Sequence, residues 1–235
     1  MRGVPPDSWL RHLEKHLPLA RTGEDPEGVH QVRVAGRRLR VWLRLAGMRV
    51  LDDDLAWLVR SAGRVRDLEV LLGMKLPEAF LKWVRGLLQE ARLELRPVLD
   101  SPRLAGLLQA LSLLPPLEPG SARLRLARFS AQVERRAARW MQEGGFEPMH
   151  ALRRALRRLR YAREWLGEDA REVKALQEVF GRAGDLHFTL GYLQRFEAEG
   201  GGLPRGYLGR KEVELAAAME EARAAWLRWG SRALR

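Results

Sequence analysis

Residues 29–40 read Val29-His-Gln-Val-Arg-Val-Ala-Gly-Arg-Arg-Leu-Arg40, and residues 149–160 repeat the pattern as Met149-His-Ala-Leu-Arg-Arg-Ala-Leu-Arg-Arg-Leu-Arg160. The histidine, the flanking arginines and the apolar positions keep a constant offset of 120 residues. Gly47 and Gly167, where the two helices should end in a C-cap, keep the same offset. An internal repeat of this kind indicates a duplicated structural unit.

A second pair of matching motifs lies beyond these segments. Asp67 follows Gly63 at the same distance as Asp185 follows Gly181, with an offset of 118 residues between the pairs. Gly181 in the second of these motifs would let another group approach the backbone closely. Simple packing between helices would explain a glycine at this position equally well. Four residues of the second motif would share one helix face: Lys174, Gln177, Gly181 and Asp185.

The whole chain has the pattern of an all-α protein. Apolar residues recur at helical spacing almost throughout its 235 residues, and runs of alternating β-branched residues are missing. With proline and glycine taken as boundaries, we predict helices over nine ranges: 7–20, 26–46, 52–72, 77–98, 102–113, 121–143, 148–166, 170–198 and 205–230.

The proline-rich segment Leu114-Pro-Pro-Leu-Glu-Pro-Gly120 divides this pattern, because proline lacks the donor N–H of a helix and disfavours helix in the residue before it. We therefore expect a single domain over 1–235 with halves 1–114 and 119–235. Each half would hold about four helices, which predicts two pseudo-symmetric four-helix bundles.

The repeated segments place their cations on one side of each helix. At about 100° per residue, the first segment forms a basic stripe within roughly an 80° arc, and its apolar residues fall on the opposite side. The windows 30–44 and 149–163 hold five and six arginines and no acid. The two stripes consist of His30, Arg33, Arg37, Arg40 and Arg44, and of His150, Arg153, Arg157 and Arg160.

Such stripes predict an anionic ligand. A solvated helix face usually interleaves both signs of charge, whereas cations stacked four residues apart repel each other by a few tenths of a kcal/mol per pair. Guanidinium groups suit phosphate because their planar fork donates two N–H bonds to it. A 15-residue helix is about 22 Å long, so each stripe could contact several phosphates of a polymer. We expect the two stripes to face a shared cleft between the halves.

Composition agrees with an anionic partner. Lys and Arg total 42 against 30 Asp and Glu, a net charge of +12. The chain has no cysteine, which excludes disulfides and thiolate metal sites and favours the cytoplasm. We find no signal peptide and no apolar stretch as long as the roughly 20 residues that span a bilayer.

The ordered set of motifs resembles the CHAD domain family. The resemblance covers nearly the whole chain and includes His30-x-x-Arg33-x-x-x-Arg37-Arg38-Leu39-Arg40 and its repeat, in which Arg158 stands for Arg38 and Tyr161 and Glu164 follow. It implies two helical bundles around a basic channel that binds inorganic polyphosphate, often at polyphosphate granules. This chain has Gly184 where the family commonly has Asn. CHAD domains are often fused to a triphosphatase domain, and we expect a stand-alone module here.

The remaining candidates are expected to support the stripes. Asp67 and Asp185 would orient arginines, Tyr161 and Gln177 would lie behind the ligand contacts, and Lys174 would add a cation. We expect no metal or cofactor, because the His12 and His16 pair, although spaced like zinc ligands, has no completing ligand.

No catalytic motif such as a P-loop is present, so we predict binding without turnover. The alternative is a nucleic-acid-binding helical protein, which would also need rows of cations.

An unperturbed histidine titrates near 6.5, and phosphates favour its charged form. We therefore expect polyphosphate affinity to rise from about pH 8 to about pH 6.

Overall fold

The computed structural model describes the backbone of residues 3–233 and the side chains of residues 3–230. This part of the chain is all-helical, as predicted, and contains no β-strand, only an isolated antiparallel bridge between Val4 and Leu117. The helices are α1 (Asp7–Thr22), α2 (Pro26–Ala46), α3 (Asp52–Ser61), α4 (Gly63–Leu72), α5 (Glu78–Leu99), α6 (Pro102–Ser112), α7 (Pro119–Glu143), α8 (Phe146–Trp165), α9 (Arg171–Ala198) and α10 (Tyr207–Ala233).

The chain separates into two compact units, Met1–Arg125 and Leu126–Arg235, and the boundary falls within α7. The start of α7 belongs to the first unit for two reasons. Val4 and Leu117 exchange backbone hydrogen bonds of 3.1 and 3.0 Å, and Arg125 donates to the carbonyl of Leu45 at the end of α2 at 3.1 Å. The division into halves at 114 and 119 stays a prediction.

Helix α2 has the predicted limits because both of its ends are capped. The side chain of Asp25 accepts a hydrogen bond from the backbone N–H of Glu27 at 2.8 Å, and Pro26 occupies the first turn, where its missing N–H costs nothing. At the other end Gly47 has a left-handed φ of 77°. The backbone N–H groups of Gly47 and Met48 donate to Arg44 and Leu43, the pattern of a Schellman cap.

Helix α8 ends in the same way. Gly167 has a φ of 68°, and the N–H groups of Gly167 and Glu168 donate to Glu164 and Arg163. The glycine caps predicted for the two repeated segments are therefore confirmed. Both helices bury their apolar side, with Leu39 in α2 and Leu152 in α8 fully inaccessible.

The helix predicted over 52–72 is divided into α3 and α4 at Ala62. Arg33 of α2 explains this break, because its Nη1 donates to the carbonyl of Val59 in the last turn of α3 at 3.2 Å. The same nitrogen lies 2.7 Å from the position that a Cβ on Gly63 would occupy. Glycine at the start of α4 thus admits the guanidinium group between the two short helices.

Among the described residues, none of the helices combines the length and the apolar character that a membrane-spanning segment needs.

Candidate functional site

The first basic stripe lies along α2, and all five of its residues are half-buried. The stems of its arginines can pack beside the core while the charged heads stay at the surface. Arg33 lies between α3 and α4, and Arg40 and Arg44 lie at the far end beside α3. The Nε atoms of Arg33 and Arg37 are buried and have no hydrogen-bond partner among the described residues.

Arg33 is held by a glycine and a carboxylate of α4. Its Nη2 lies 3.9 Å from Oδ1 of Asp67, one turn after Gly63. Burial lowers the pKa of Arg33, which the charge of Asp67 partly counters. Burial likewise raises the pKa of Asp67 despite three nearby arginines. The predicted pairing of Asp67 with an arginine is thus present in the first unit, although the distance of 3.9 Å between the two groups is long for an ion pair.

The charge at the C-terminal end of the α2 stripe is partly neutralised by one carboxylate. Arg40 donates to both oxygens of Asp52, at 2.8 and 3.0 Å, and Arg44 donates to the same carboxylate at 3.5 Å. Burial raises the pKa of Asp52, but these hydrogen bonds and charges together lower it below its usual value. Asp52 lies in the first turn of α3, as the sequence indicated, and its carboxylate pairs with these two arginines of the stripe. Arg40 and Arg44 are therefore less available to a ligand than Arg37.

The second unit holds Arg153 of α8 in an arrangement like that of Arg33. The Arg153 guanidinium lies 3.6 Å from the positions that a Cβ on Gly181 or on Gly184 would occupy, and its Nη2 is 4.0 Å from Oδ1 of Asp185. Its Nε is buried with no hydrogen-bond partner among the described residues. Arg153, Gly181 and Asp185 thus come together within the second unit, as Arg33, Gly63 and Asp67 do in the first.

Arg160 is paired, like Arg40 at the corresponding position. Its Nε donates to Glu164 one turn along α8 at 2.7 Å, and its guanidinium lies 5.5 Å from the ring centre of Tyr161. Tyr161 itself is buried, so it contributes to the core from beneath this pair.

The other predicted site residues lie in varied surroundings. The Arg38 guanidinium stacks over Trp9 of α1 at 4.2 Å, on a different side of α2 from the stripe. Arg157 and Arg158 are half-buried on α8. On α9, Lys174 is exposed with its Nζ 3.9 Å from Glu178, while Oε1 of Gln177 is buried without a hydrogen-bond partner in the described residues.

Both histidines of the stripes have lowered pKa values, unlike the ordinary value assumed from the sequence. Burial is the main cause for His30, followed by the charge of Arg66. Burial and the charges of Arg154, Arg153 and Arg157 lower the pKa of His150 to about 4. Both imidazoles are therefore neutral at pH 7 in the free protein. The Nδ1 of His150 is buried and has no hydrogen-bond partner among the described residues.

Several residues around the stripes were not among the site residues predicted from the sequence. Arg66 of α4 lies close enough for its charge to act on His30, Arg33 and Asp67; its place directly before Asp67 was the available signal. In the second unit, the rings of Phe146 and His187 stack at 3.4 Å with planes 5° apart. Phe146 also lies 5.6 Å from His150. No sequence repeat pointed to this aromatic pair.

The residues described contain no group of three or more His, Cys, Asp or Glu side chains that could hold a metal ion. His12 and His16 face packing partners instead. His12 Nε2 lies 2.8 Å from Oε1 of Gln31, and His16 Nδ1 lies 2.7 Å from the carbonyl of His12.

Comparison with known proteins agrees with the resemblance seen in the sequence. The family model of the CHAD domain matches residues 7–194. The chain is similar to the crystal structure of the CHAD domain from the plant Ricinus communis, with a TM-score of 0.71, 25% identity and coverage of 94% of this chain and 88% of that one.

A second solved structure, PptA from Streptomyces chartreusis, has a TM-score of 0.71 at 17% identity, over 95% of this chain and 97% of its own, and supports the fold alone. A search of curated proteins found no match. Because the family model covers well over half of the sequence and the folds agree, the protein belongs to the CHAD domain family.

Proposed function

We propose that this CHAD domain binds inorganic polyphosphate through the His/Arg faces of α2 and α8 and does not consume it. The observation that carries the proposal is the pair of half-buried arginine rows, in which Arg33 of α2 and Arg153 of α8 each lie beside a glycine and an aspartate of a neighbouring helix. Guanidinium groups donate strong charge-assisted hydrogen bonds to phosphate oxygens, so a chain of phosphates is the ligand that such rows fit best.

The spacing of the cations favours a chain of phosphates over a single small anion. His30 and Arg37 are about 10 Å apart along α2, as are His150 and Arg157 along α8, at about 1.5 Å per residue. Consecutive phosphates of an extended polymer can each meet a donor over this length. The arginines repel one another, and this repulsion lowers the stability of the ligand-free protein. Bound phosphates would relieve it.

The proposal includes one polymer that contacts both faces. It is motivated by the repeat at an offset of 120 residues and by the matching arrangements around Arg33 and Arg153. Two pseudo-symmetric bundles and a basic channel between them belong to this proposal. So do a cytoplasmic location and association with polyphosphate granules.

Binding without turnover is supported by the positions of the carboxylates. Asp52 accepts hydrogen bonds from Arg40 and Arg44, and Asp67 and Asp185 each lie beside an arginine. These carboxylates are therefore positioned to pair with arginine side chains. Incubation of the protein with long polyphosphate and Mg²⁺ or Mn²⁺, followed by gel analysis, tests this part. Shortening of the polymer that an Arg37→Glu change abolishes would overturn it.

The binding proposal is tested by competition between long polyphosphate, RNA and duplex DNA at near-physiological salt. A thin polymer without bases should bind more tightly than a duplex at equal phosphate concentration. Arg37→Glu should weaken polyphosphate binding at least tenfold, whereas Arg85→Glu should have little effect. Arg85 is an exposed arginine of α5 whose pairing with Glu78 lies at the surface, where such pairs contribute little to stability. Equal or tighter binding of nucleic acid would favour the alternative function.

A further inference from the structure

The stripe of α8 begins with an aromatic residue. At about 100° per residue, Phe146, His150, Arg153 and Arg157 fall within roughly 60° of one another on the helix. Phe146 is the first residue of α8 and is half-buried. From Phe146 to Arg157 the face extends about 16 Å along the axis.

His187 of α9 completes a flat aromatic surface at this end of the stripe. Its ring is stacked on Phe146 with centres 3.4 Å apart and planes 5° apart, and the residue is exposed. A planar group could therefore stack on the face of His187 that is turned away from Phe146. His150, whose ring centre is 5.6 Å from that of Phe146, begins the row of phosphate-binding candidates.

The aromatic pair is not part of the repeated framework. The residues that correspond to Phe146 and His187, at the offsets of 120 and 118, are Pro26 and Glu69. Pro26 begins α2, and the Glu69 side chain is buried and accepts a hydrogen bond from Arg92. The first unit forms its stripe without these rings, so packing of the shared framework does not require them. The pair is a feature of the second unit that a ligand would explain.

We infer that the second unit binds nucleoside polyphosphates, with the base stacked on His187 and the phosphates along His150, Arg153 and Arg157. This inference rests on the proposed function, because it uses the same anion-binding face and adds a site for a base. Aromatic side chains stack on any base with modest sequence preference, so a purine, with its larger surface, is the favoured occupant. Inorganic polyphosphate would contact only the cationic part of the face.

Calorimetry on the full chain with ATP and inorganic tripolyphosphate tests the inference. Esterification removes an ionisable oxygen from the terminal phosphate, so ATP carries less negative charge than tripolyphosphate and charge alone favours the latter. We expect ATP to bind about tenfold more tightly, as for one stacked base. His187→Ala and Phe146→Leu should each abolish this preference and leave tripolyphosphate affinity unchanged. His16→Ala, a histidine change on α1, should alter neither affinity.

The outcomes separate this inference from the proposed function. If the wild type binds tripolyphosphate as tightly as ATP, or if His187→Ala weakens both ligands equally, the base site is refuted even where long polyphosphate still binds. If long polyphosphate does not bind but the ATP preference and its loss in His187→Ala are seen, the base site stands and the polymer function is wrong.

Discussion

Gly63 and Gly181 offer a matched test of how the arginines are held. In a Gly63→Ala variant, the new Cβ would lie 2.7 Å from Nη1 of Arg33, whereas in Gly181→Ala it would lie 3.6 Å from Arg153, an ordinary contact. The Arg33 guanidinium must then move by roughly 0.7 Å to restore ordinary contact. Its hydrogen bond to Val59, already 3.2 Å long, would be lost or weakened.

The expected magnitudes follow from these contacts. Loss of one charged hydrogen bond costs about 1.5–3 kcal/mol, and alanine recovers up to about 1 kcal/mol of helix propensity. Gly63→Ala should therefore lower the free energy of unfolding by about 1 kcal/mol. Gly181→Ala, inside α9, should raise it by about 0.5–1 kcal/mol.

Binding should separate the two variants as well. Displacement of one guanidinium among several should weaken polyphosphate binding by about 1 kcal/mol, roughly fivefold, in Gly63→Ala but not in Gly181→Ala. Urea denaturation gives the stabilities, and fluorescence anisotropy with labelled polyphosphate gives the affinities. Unchanged affinity in Gly63→Ala, or equal loss in both variants, would show that the position of Arg33 between α3 and α4 does not matter for binding.

Three further predictions concern the charges of the faces. Arg157→Glu should weaken polyphosphate binding at least tenfold while Arg139→Glu, at an exposed position of α7, should not; a folded Arg157→Glu variant with full affinity would remove the second face from the polymer site. Asp52→Asn should lower the free energy of unfolding by about 1 kcal/mol, since the ion pairs are partly exposed. The same change should raise the affinity for polyphosphate, because Arg40 and Arg44 are released from the carboxylate. A lower affinity in the same anisotropy assay would contradict this prediction. In an NMR titration, His150 of the free protein should titrate at about 4, and bound polyphosphate should raise that pKa; an identical titration with and without ligand would place His150 away from the phosphates.

The sign of the pH effects follows from the lowered pKa of His150. In the unfolded chain histidine titrates near 6.5, so acidification from that value towards about 4 favours the unfolded state, and this contribution to stability is lost over that window. For binding, affinity rises as the pH falls below the pKa of the complex and levels off below about 4. The increase predicted from the sequence between about pH 8 and pH 6 is therefore expected at lower pH.

Much of α2 and α8 could be predicted because the signals are local. Proline at the first turn, the apolar period and the glycine caps lie within the segments themselves, and α2 has the predicted limits, Pro26–Ala46. The repeat also indicated which residues would correspond, and Arg33 and Arg153 do lie beside the predicted glycines and acids.

What could not be predicted depends on contacts between helices. The stripe window 30–44 contains no acid, but Asp52 reaches Arg40 and Arg44 from the next helix. The break at Ala62 depends on Arg33, which lies 26 residues before Val59. Burial lowers the pKa values of His30 and His150, and burial of a half-exposed helix face cannot be calculated from its sequence alone.

The bridge between Val4 and Leu117 has a consequence for any attempt to dissect the protein. Trp42, at the centre of the α2 core, donates its indole N–H to the carbonyl of Val4 at 2.9 Å, and the same carbonyl accepts from Leu117. A fragment that ends at residue 114 would lose Leu117 and also Arg125, which covers the carbonyl of Leu45. Its amino-terminal segment would then detach from the core tryptophan. Fragments of the first unit should instead extend to Arg125, where that unit ends, and protease cleavage at the proline-rich segment should release the amino terminus before α2 unfolds.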